Sequence, residues 1–451
     1  MLNALHRSIR HTLYDLRGGF LVRPLVIAFV LGALGAALPR LEGSFGVFAQ
    51  LLGARVGGIA ADSASAQGIL GAVIAAVMTV VSIVLSVLLV ALTLASMQFS
   101  PRILTGFIDD RASQRTIGIF LGTFLYCLAA YPACAAGARG SVYAVAVLGA
   151  TALAMTCVVA LVHFIHHIAL AINVNFITER IAIETERIID DVMPEPRAAR
   201  PRLEEQPLPD FGTGPALLAP RSGYIRFVDT EALRKLARRH GVVARVERRV
   251  GQFVPAGVPL MRFTKEKHLQ VQAFLAAFDL GPARTMEQDV EFGLLQLVDI
   301  ALKAISPAVN DPSTAINCID QLSRLLARVA GREPVVPVLY EPPGVVRLVL
   351  APTTFEHLVE VAFSQIAHYG KGDVAVSLRA LRALADIAAV TDDPRCLAPL
   401  EARARSVATQ CIANLPVAAH DAVRGRLGAV LDRAGTARVF TRGASSVDGV
   451  E

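Results

Sequence analysis

The stretch GILGAVIAAVMTVVSIVLSVLLVALTLASMQ, Gly68 to Gln98, contains no charged residue. A helix of about 20 apolar residues crosses the ~30 Å hydrocarbon core of a bilayer, so this stretch can span with tilt or continue beyond the core. Three more apolar stretches precede residue 175. Leu25 to Pro39 is short and glycine-rich, and is extended at its start by Phe20 to Val22 around Arg23. Ile117 to Ala138 and Ser141 to Asn173 are separated only by the residues around Arg139, as in a helical hairpin. The pattern predicts spans at about 20–39, 68–98, 117–138 and 141–173, in a transmembrane domain of residues 1–175. The first stretch also admits a signal-peptide reading, because Arg7, Arg10, Arg17 and Arg23 precede it and Ala37-Leu38-Pro39-Arg40 follows. An uncleaved helix is preferred, because four spans then satisfy the charge rule below.

Composition agrees. Of 451 residues, 54% are hydrophobic and 18% charged, against roughly 25% charged in soluble domains. That excludes a disordered chain, a fibre and a disulfide-stapled secreted module. The net charge is +6, and lysine is confined to Lys235, Lys265, Lys267, Lys303 and Lys371. Much of the basic excess flanks apolar segments, which suits an anionic inner leaflet better than nucleic acid. Cys127, Cys134, Cys157, Cys318, Cys396 and Cys411 form no CxxC or metal spacing and read as reduced, buried apolar residues.

Arginine placement predicts orientation. The tail has four arginines, and the loop after span two has Arg102, Arg111 and Arg115. The loop after span one has Arg40 and Arg55 balanced by Glu42 and Asp62, and the turn after span three has only Arg139. Both termini are therefore expected in the cytoplasm of a multi-pass inner-membrane protein. Thr79, Ser82, Ser86, Thr93 and Ser96 recur on one helical face of span two. Small hydroxyl residues pack helices together, and that reading leads; in an oligomer the same stripe would line a water-filled pore. Gly118-x-x-x-Gly122 is a second packing signal. His163 and His167, one turn apart beside His166, are weak metal candidates without a nearby carboxylate, so no metal or cofactor is expected.

After the spans the chain predicts a cytoplasmic α+β region, making the whole mainly α. Residues 176–220 read as a charged amphipathic helix, Ile177 to Val192, then a proline-rich linker. Residues 221–272 read as a small β-rich module with an inserted helix capped by Thr230 and ended by Gly241. Its Gly251-x-x-Val254-x-x-Gly257-x-Pro259-Leu260 string resembles the turn-and-strand signature of barrel-sandwich hybrid domains. Carriers of that fold present a hairpin lysine; here Lys235 sits in the inserted helix, so a structural or adaptor role is expected. Residues 273–435 read as a helical bundle, with helices from Gly281 to Ile305 and from Asp311 to Val329, and a hairpin turned by Pro342-Pro343-Gly344. Residues 436–451 read as a disordered tail.

Two strings resemble one family: QFSPRILTGFIDDRASQRTIGIFLGTFLYC, Gln98 to Cys127, and FGLLQLVDIALKAISPAVNDPSTAINCIDQL, Phe292 to Leu322. With FIHHIA, Phe164 to Ala169, and AHYGKGD, Ala367 to Asp373, the chain is similar to the bacterial membrane proteins grouped as domain of unknown function 2254. The resemblance implies a multi-pass membrane protein with a cytoplasmic domain and supplies no catalytic residues. The second string holds a candidate ligand or ion site: Asp299, Lys303, Asn310 and Asp311. The competing structural reading is a helical i,i+4 pair and an Asp-Pro helix start. Walker A, Gly-x-Ser-x-Gly, His-Glu-x-x-His and dinucleotide fingerprints are absent, so a non-enzyme is expected. The expected function is a homo-oligomer whose cytoplasmic domain senses or gates, in its sharpest form a pore lined by span two. The alternatives are a membrane-anchored scaffold with protein partners, and a membrane enzyme using Asp299, Lys303 and Asp311.

Overall fold

The computed structural model describes residues 22–44, 63–98, 111–135, 144–171, 173–195, 209–212, 214–265, 269–334, 337–341 and 344–444. Most of the proline-rich linker, residues 196–208, lies outside the described residues. The chain divides into two compact units, Met1–Asn173 and Val174–Glu451.

The first unit holds α1 (Val22–Ser44), α2 (Ser63–Gln98), α3 (Arg111–Ala135) and α4 (Ala144–Ala171). All four are long and apolar enough to cross a membrane. Half of the apolar window of α3 is buried, against 17–22% in the others, so α3 is the centre of the bundle. Small residues set the close approaches. A Cβ on Gly35 of α1 would lie 2.2 Å from the Tyr126 carbonyl oxygen of α3, and Gly118 and Gly122 receive Ile27 and Leu31. Tyr126 is buried, and its hydroxyl donates to the Ala146 carbonyl at 3.2 Å. A buried seam of α2, Val77, Val84 and Ala91, repeats every seven residues against Phe120 and Phe164. Phe29, Leu89, Val159 and Val162 point outward, as lipid-facing apolar side chains do.

The second unit opens with α5 (Val174–Val192). Then come β1 (Ala216–Leu218), β2 (Gly223–Val228), α6 (Thr230–His240), β3 (Ala244–Val246), β4 (Phe253–Val254), β5 (Pro259–Phe263), α7 (Val271–Leu275) and β6 (Phe278–Gly281). Helices α8 (Val290–Ala304) and α9 (Pro312–Ala330) precede the hairpin β7 (Val338–Glu341) and β8 (Val345–Val349). The chain closes with α10 (Phe355–Tyr369), α11 (Val374–Ala389), α12 (Pro394–Asn414) and α13 (His420–Ala444).

The strands form two sheets, ordered β1-β5-β3-β8-β7 and β4-β2-β6, and no barrel closes among the described residues. The expected barrel-like module is thus corrected to a split pair of sheets. The physical reason is the late hairpin: β8 pairs parallel with β3 (Ala244 with Leu348), so the sheet grows sideways and its edge is taken by a distant segment. Both β1 and β6 fall outside the expected 221–272 boundary for the same kind of reason, since each pairs with an interior strand. The cap of α6 is Asp229, whose carboxylate accepts from Ala232 N at 2.8 Å, so Thr230 becomes the first helical residue. Helix α8 starts at Val290 rather than near Gly281, because Gly281 ends β6 and Asp289 caps the helix. Helix α13 continues through Ala444, so residues 436–444 are helical where a disordered tail was expected; residues 445–451 lie outside the described residues.

Candidate functional site

The site is assembled where α5, the split sheets and the bundle meet inside the second unit. α5 presents Ile177, Ile181, Ala182, Ile188 and Ile189 on one buried face at helical spacing. That face packs on α8 and α9. Thr185 is buried there with its hydroxyl donating to the Ile181 carbonyl at 2.7 Å, and only a glycine fits opposite it: a Cβ on Gly293 would lie 2.1 Å from Thr185 Oγ1. Polar rungs flank the face in register. Asn317 donates to Asn175 at 2.5 Å, and Arg324 pairs with Glu179 at 2.9 Å and Glu186 at 2.7 Å. Arg328 and Arg332 both reach Asp190 at 2.5 Å. The Arg328 guanidinium beside Asp190 holds its carboxyl below the usual carboxylate range. Numbers rise together on both helices, so α5 and α9 run parallel. Exposed rungs of this kind contribute about 0–1 kcal/mol each; they fix register, while the apolar face supplies the attachment.

Just past the last rung, the end of α5 walls a cavity of about 450 Å³. Val192, Met193, Val228, Val250, Leu339 and Leu350 make its lining mainly apolar. Arg248, Arg249, Asp289 and Asp191 supply its charged groups, and Gln288, Thr230 and Thr353 its neutral polar ones. Beneath it lies an ion cluster. Arg284 holds Asp289 through two 2.8 Å bonds, and Asp289 also caps α8 through Phe292 N at 3.0 Å. Arg249 reaches Glu291 at 2.9 Å, and His357 Nε2 stands 2.9 Å from Glu291 and 2.8 Å from Arg249. Burial pushes the Asp289 carboxyl up, against the pull of Arg284 and the Phe292 amide. Burial also opposes ionisation of Glu291, but Arg284, Arg249 and His357 together outweigh it and hold that carboxyl below its ordinary value. Gly251 admits the cluster: its φ is +87° and a Cβ there would lie 2.2 Å from Asp289 Oδ2.

The residues singled out from the sequence fall elsewhere. Asp299 is half-buried on α8, while Lys303 and Asn310 are exposed. Asn310 adopts the left-handed φ of 51° in the turn between α8 and α9. Asp311 caps α9: one oxygen accepts from Thr314 N at 3.1 Å and the other from Thr314 Oγ1 at 2.5 Å. Bonding to that hydroxyl holds the Asp311 carboxyl below its ordinary value. Thr79, Ser82, Ser86 and Thr93 are exposed on the face of α2 opposite its buried seam. Each donates to the carbonyl four residues earlier, at 2.8–3.0 Å. Among the described residues of the unit the stripe stays exposed; the side chain of Ser96 lies outside the described residues. The rings of His163 and His167 stack 6.3 Å apart, and no group of three metal-binding side chains gathers among the described residues. The ion cluster was missed from sequence. Its only trace is Glu247-Arg248-Arg249-Val250-Gly251, a charged run ending in glycine.

A family model described as predicted membrane protein (DUF2254) matches residues 17–386. The chain belongs to that family. Among its described residues this DUF2254 protein has four apolar helices of membrane-crossing length. It is 33% identical over 313 residues to uncharacterised proteins of Mycobacterium bovis and Mycobacterium tuberculosis. The match covers 67% of this chain and 60% of each relative, so the chain spans about 60% of the length of the curated relatives it matches. No solved structure matches it significantly.

Proposed function

We propose that this DUF2254 protein is a homo-oligomeric inner-membrane protein with cytoplasmic termini, whose water-soluble unit senses a signal and passes it to the spans. It acts by binding and movement rather than by catalysis. The observation that carries this reading is α5. It begins three residues after α4 ends, its apolar face packs on α8 and α9, and its polar rungs pair with α9. A shift of the bundle is therefore delivered within about 10 Å of chain to the end of the fourth span.

The output is an ion-conducting pore. The hydroxyl stripe of α2 faces away from its own bundle, so only several copies together can enclose it. The test is ion flux into liposomes holding the purified chain, beside Ser86→Leu. Flux above empty liposomes that falls in the variant, with unchanged oligomer size, supports the pore. Silence under varied pH, tension and voltage sinks it. The second reading, a scaffold for protein partners, is favoured by the exposed apolar side chains Val309, Tyr369, Val390 and Val417 of the second unit.

A further inference from the structure

The cavity at the end of α5 has the chemistry of a binding site for one class of small molecule. Its volume, about 450 Å³, lies in the usual range for ligand pockets, and its walls are mainly apolar. Its polar groups are not equivalent. Asp289 accepts two bonds from Arg284 and one from Phe292 N. Arg249 is engaged by Glu291. The Gln288 side-chain oxygen accepts from Val228 N at 3.0 Å, which turns its NH2 group into the half left to donate. Arg248 lines the cavity, is exposed, and makes no ion pair among the described residues. The uncommitted groups are thus the Arg248 guanidinium, the Gln288 amide N–H and the hydroxyls of Thr230 and Thr353, all of which can donate and none of which carries negative charge. The remaining acid, Asp191, stands on the last turn of α5 and is exposed. Of the two acids at the cavity, Asp289 is already paired with Arg284 and Asp191 lies at the surface, whereas an anion meets the Arg248 guanidinium, without an ion pair among the described residues, beside an apolar wall.

We propose that this cavity binds a small anionic amphiphile, with its carboxylate or phosphate on Arg248 and Gln288 and its apolar body against Val228, Val250, Leu339 and Leu350. The occupant touches the end of α5, the strands of both sheets and the start of α8 at once. It therefore ties the segment after the fourth span to the sheets, and supplies a chemical identity for the signal in the sensing reading, on which its consequence rests. A carboxylate could be a free metabolite and a phosphate a lipid headgroup; both share the recognition by Arg248.

The experiment is equilibrium dialysis of labelled octanoate against the full chain in lipid nanodiscs, with empty nanodiscs as background. Octyl phosphate and octylammonium are the companion probes. Saturable octanoate binding near one per chain is expected, with octylammonium excluded. Arg248→Glu weakens it by about tenfold or more and Arg248→Lys by much less, because the charge is kept. Leu350→Trp fills the cavity and abolishes binding, with the melting temperature reporting that the chain is folded. Preference for octyl phosphate delivered from the disc, over octanoate from solution, would point to the headgroup source. Binding no greater than to empty discs, equal uptake of octylammonium, or indifference to Arg248→Glu each overturns the proposal. Saturable binding with no effect on flux keeps the site and removes the sensing reading; flux without binding does the reverse.

Discussion

Glu291 shows how a buried acid is kept charged. It sits between Arg249, Arg284 and His357 with its side chain 14% exposed. Its folded pKa lies below its ordinary value of 4.5. The carboxylate's stabilising contribution is therefore complete above about pH 5 and is lost as the pH falls through 4.5 toward the lower folded value. Glu291→Gln is expected to lower the melting temperature clearly at pH 7, with the loss shrinking as the pH is taken progressively below 4.5; an equal loss at every pH would show that the charge contributes nothing. Asp311 differs in kind. Asp followed by Pro is legible as a helix start, because both the cap and the first helical residue lie within one short string. The Glu291 cluster is not legible, because its members come from the loop after β3, the approach to α8, and α10. No sequence period relates residues that far apart.

At the scale of the element, α5 is the part that decides what the protein can do. Its amphipathic pattern marks a buried face, but nothing local names the surface that buries it. Gly293 does so only in the folded chain, where Thr185 occupies the space a side chain would take. Gly293→Leu is expected to cost about 3 kcal/mol through overpacking. The loss should appear as faster amide exchange in residues 174–192, with the spans unaffected. Protection of α5 equal to the wild type would show that α5 is held by its ionic rungs instead. The helices themselves lie close to their expected positions, since each carries its own period and cap. The exceptions are α13, which runs on through Ala444, and α8, which is shorter at its start because β6 claims Gly281, a tertiary demand that overrides helix periodicity.

For the whole molecule, the hairpin β7–β8 joins regions that the chain order keeps apart. Leu348 is fully buried in the same cluster as Leu233, Ala244 and Phe263. Leu348→Asp places a charge in that core and is expected to destabilise by more than about 4 kcal/mol. Limited proteolysis should then cut residues 216–281 and the hairpin together. Cutting confined to the hairpin would show that the earlier strands stand without it. The bilayer-facing unit follows a different logic, since each apolar stretch there announces itself by length alone.

What the sequence determines by itself is whatever physics acts along the chain. Uncharged runs must leave water, an Asp-Pro must start a helix, and an i,i+4 pattern must bury one face. That was enough for four membrane-length helices, the helical bundle and the family resemblance. Only the tertiary structure decided that the sheets split rather than close, that α5 lies parallel to α9, and that the hydroxyl stripe of α2 faces outward. It also brought Arg249, Arg284, Asp289, Glu291 and His357 into one cluster beneath a cavity. These outcomes depend on packing between segments distant in the chain, where side-chain volume and charge pairing act across space and leave no periodic mark in the sequence.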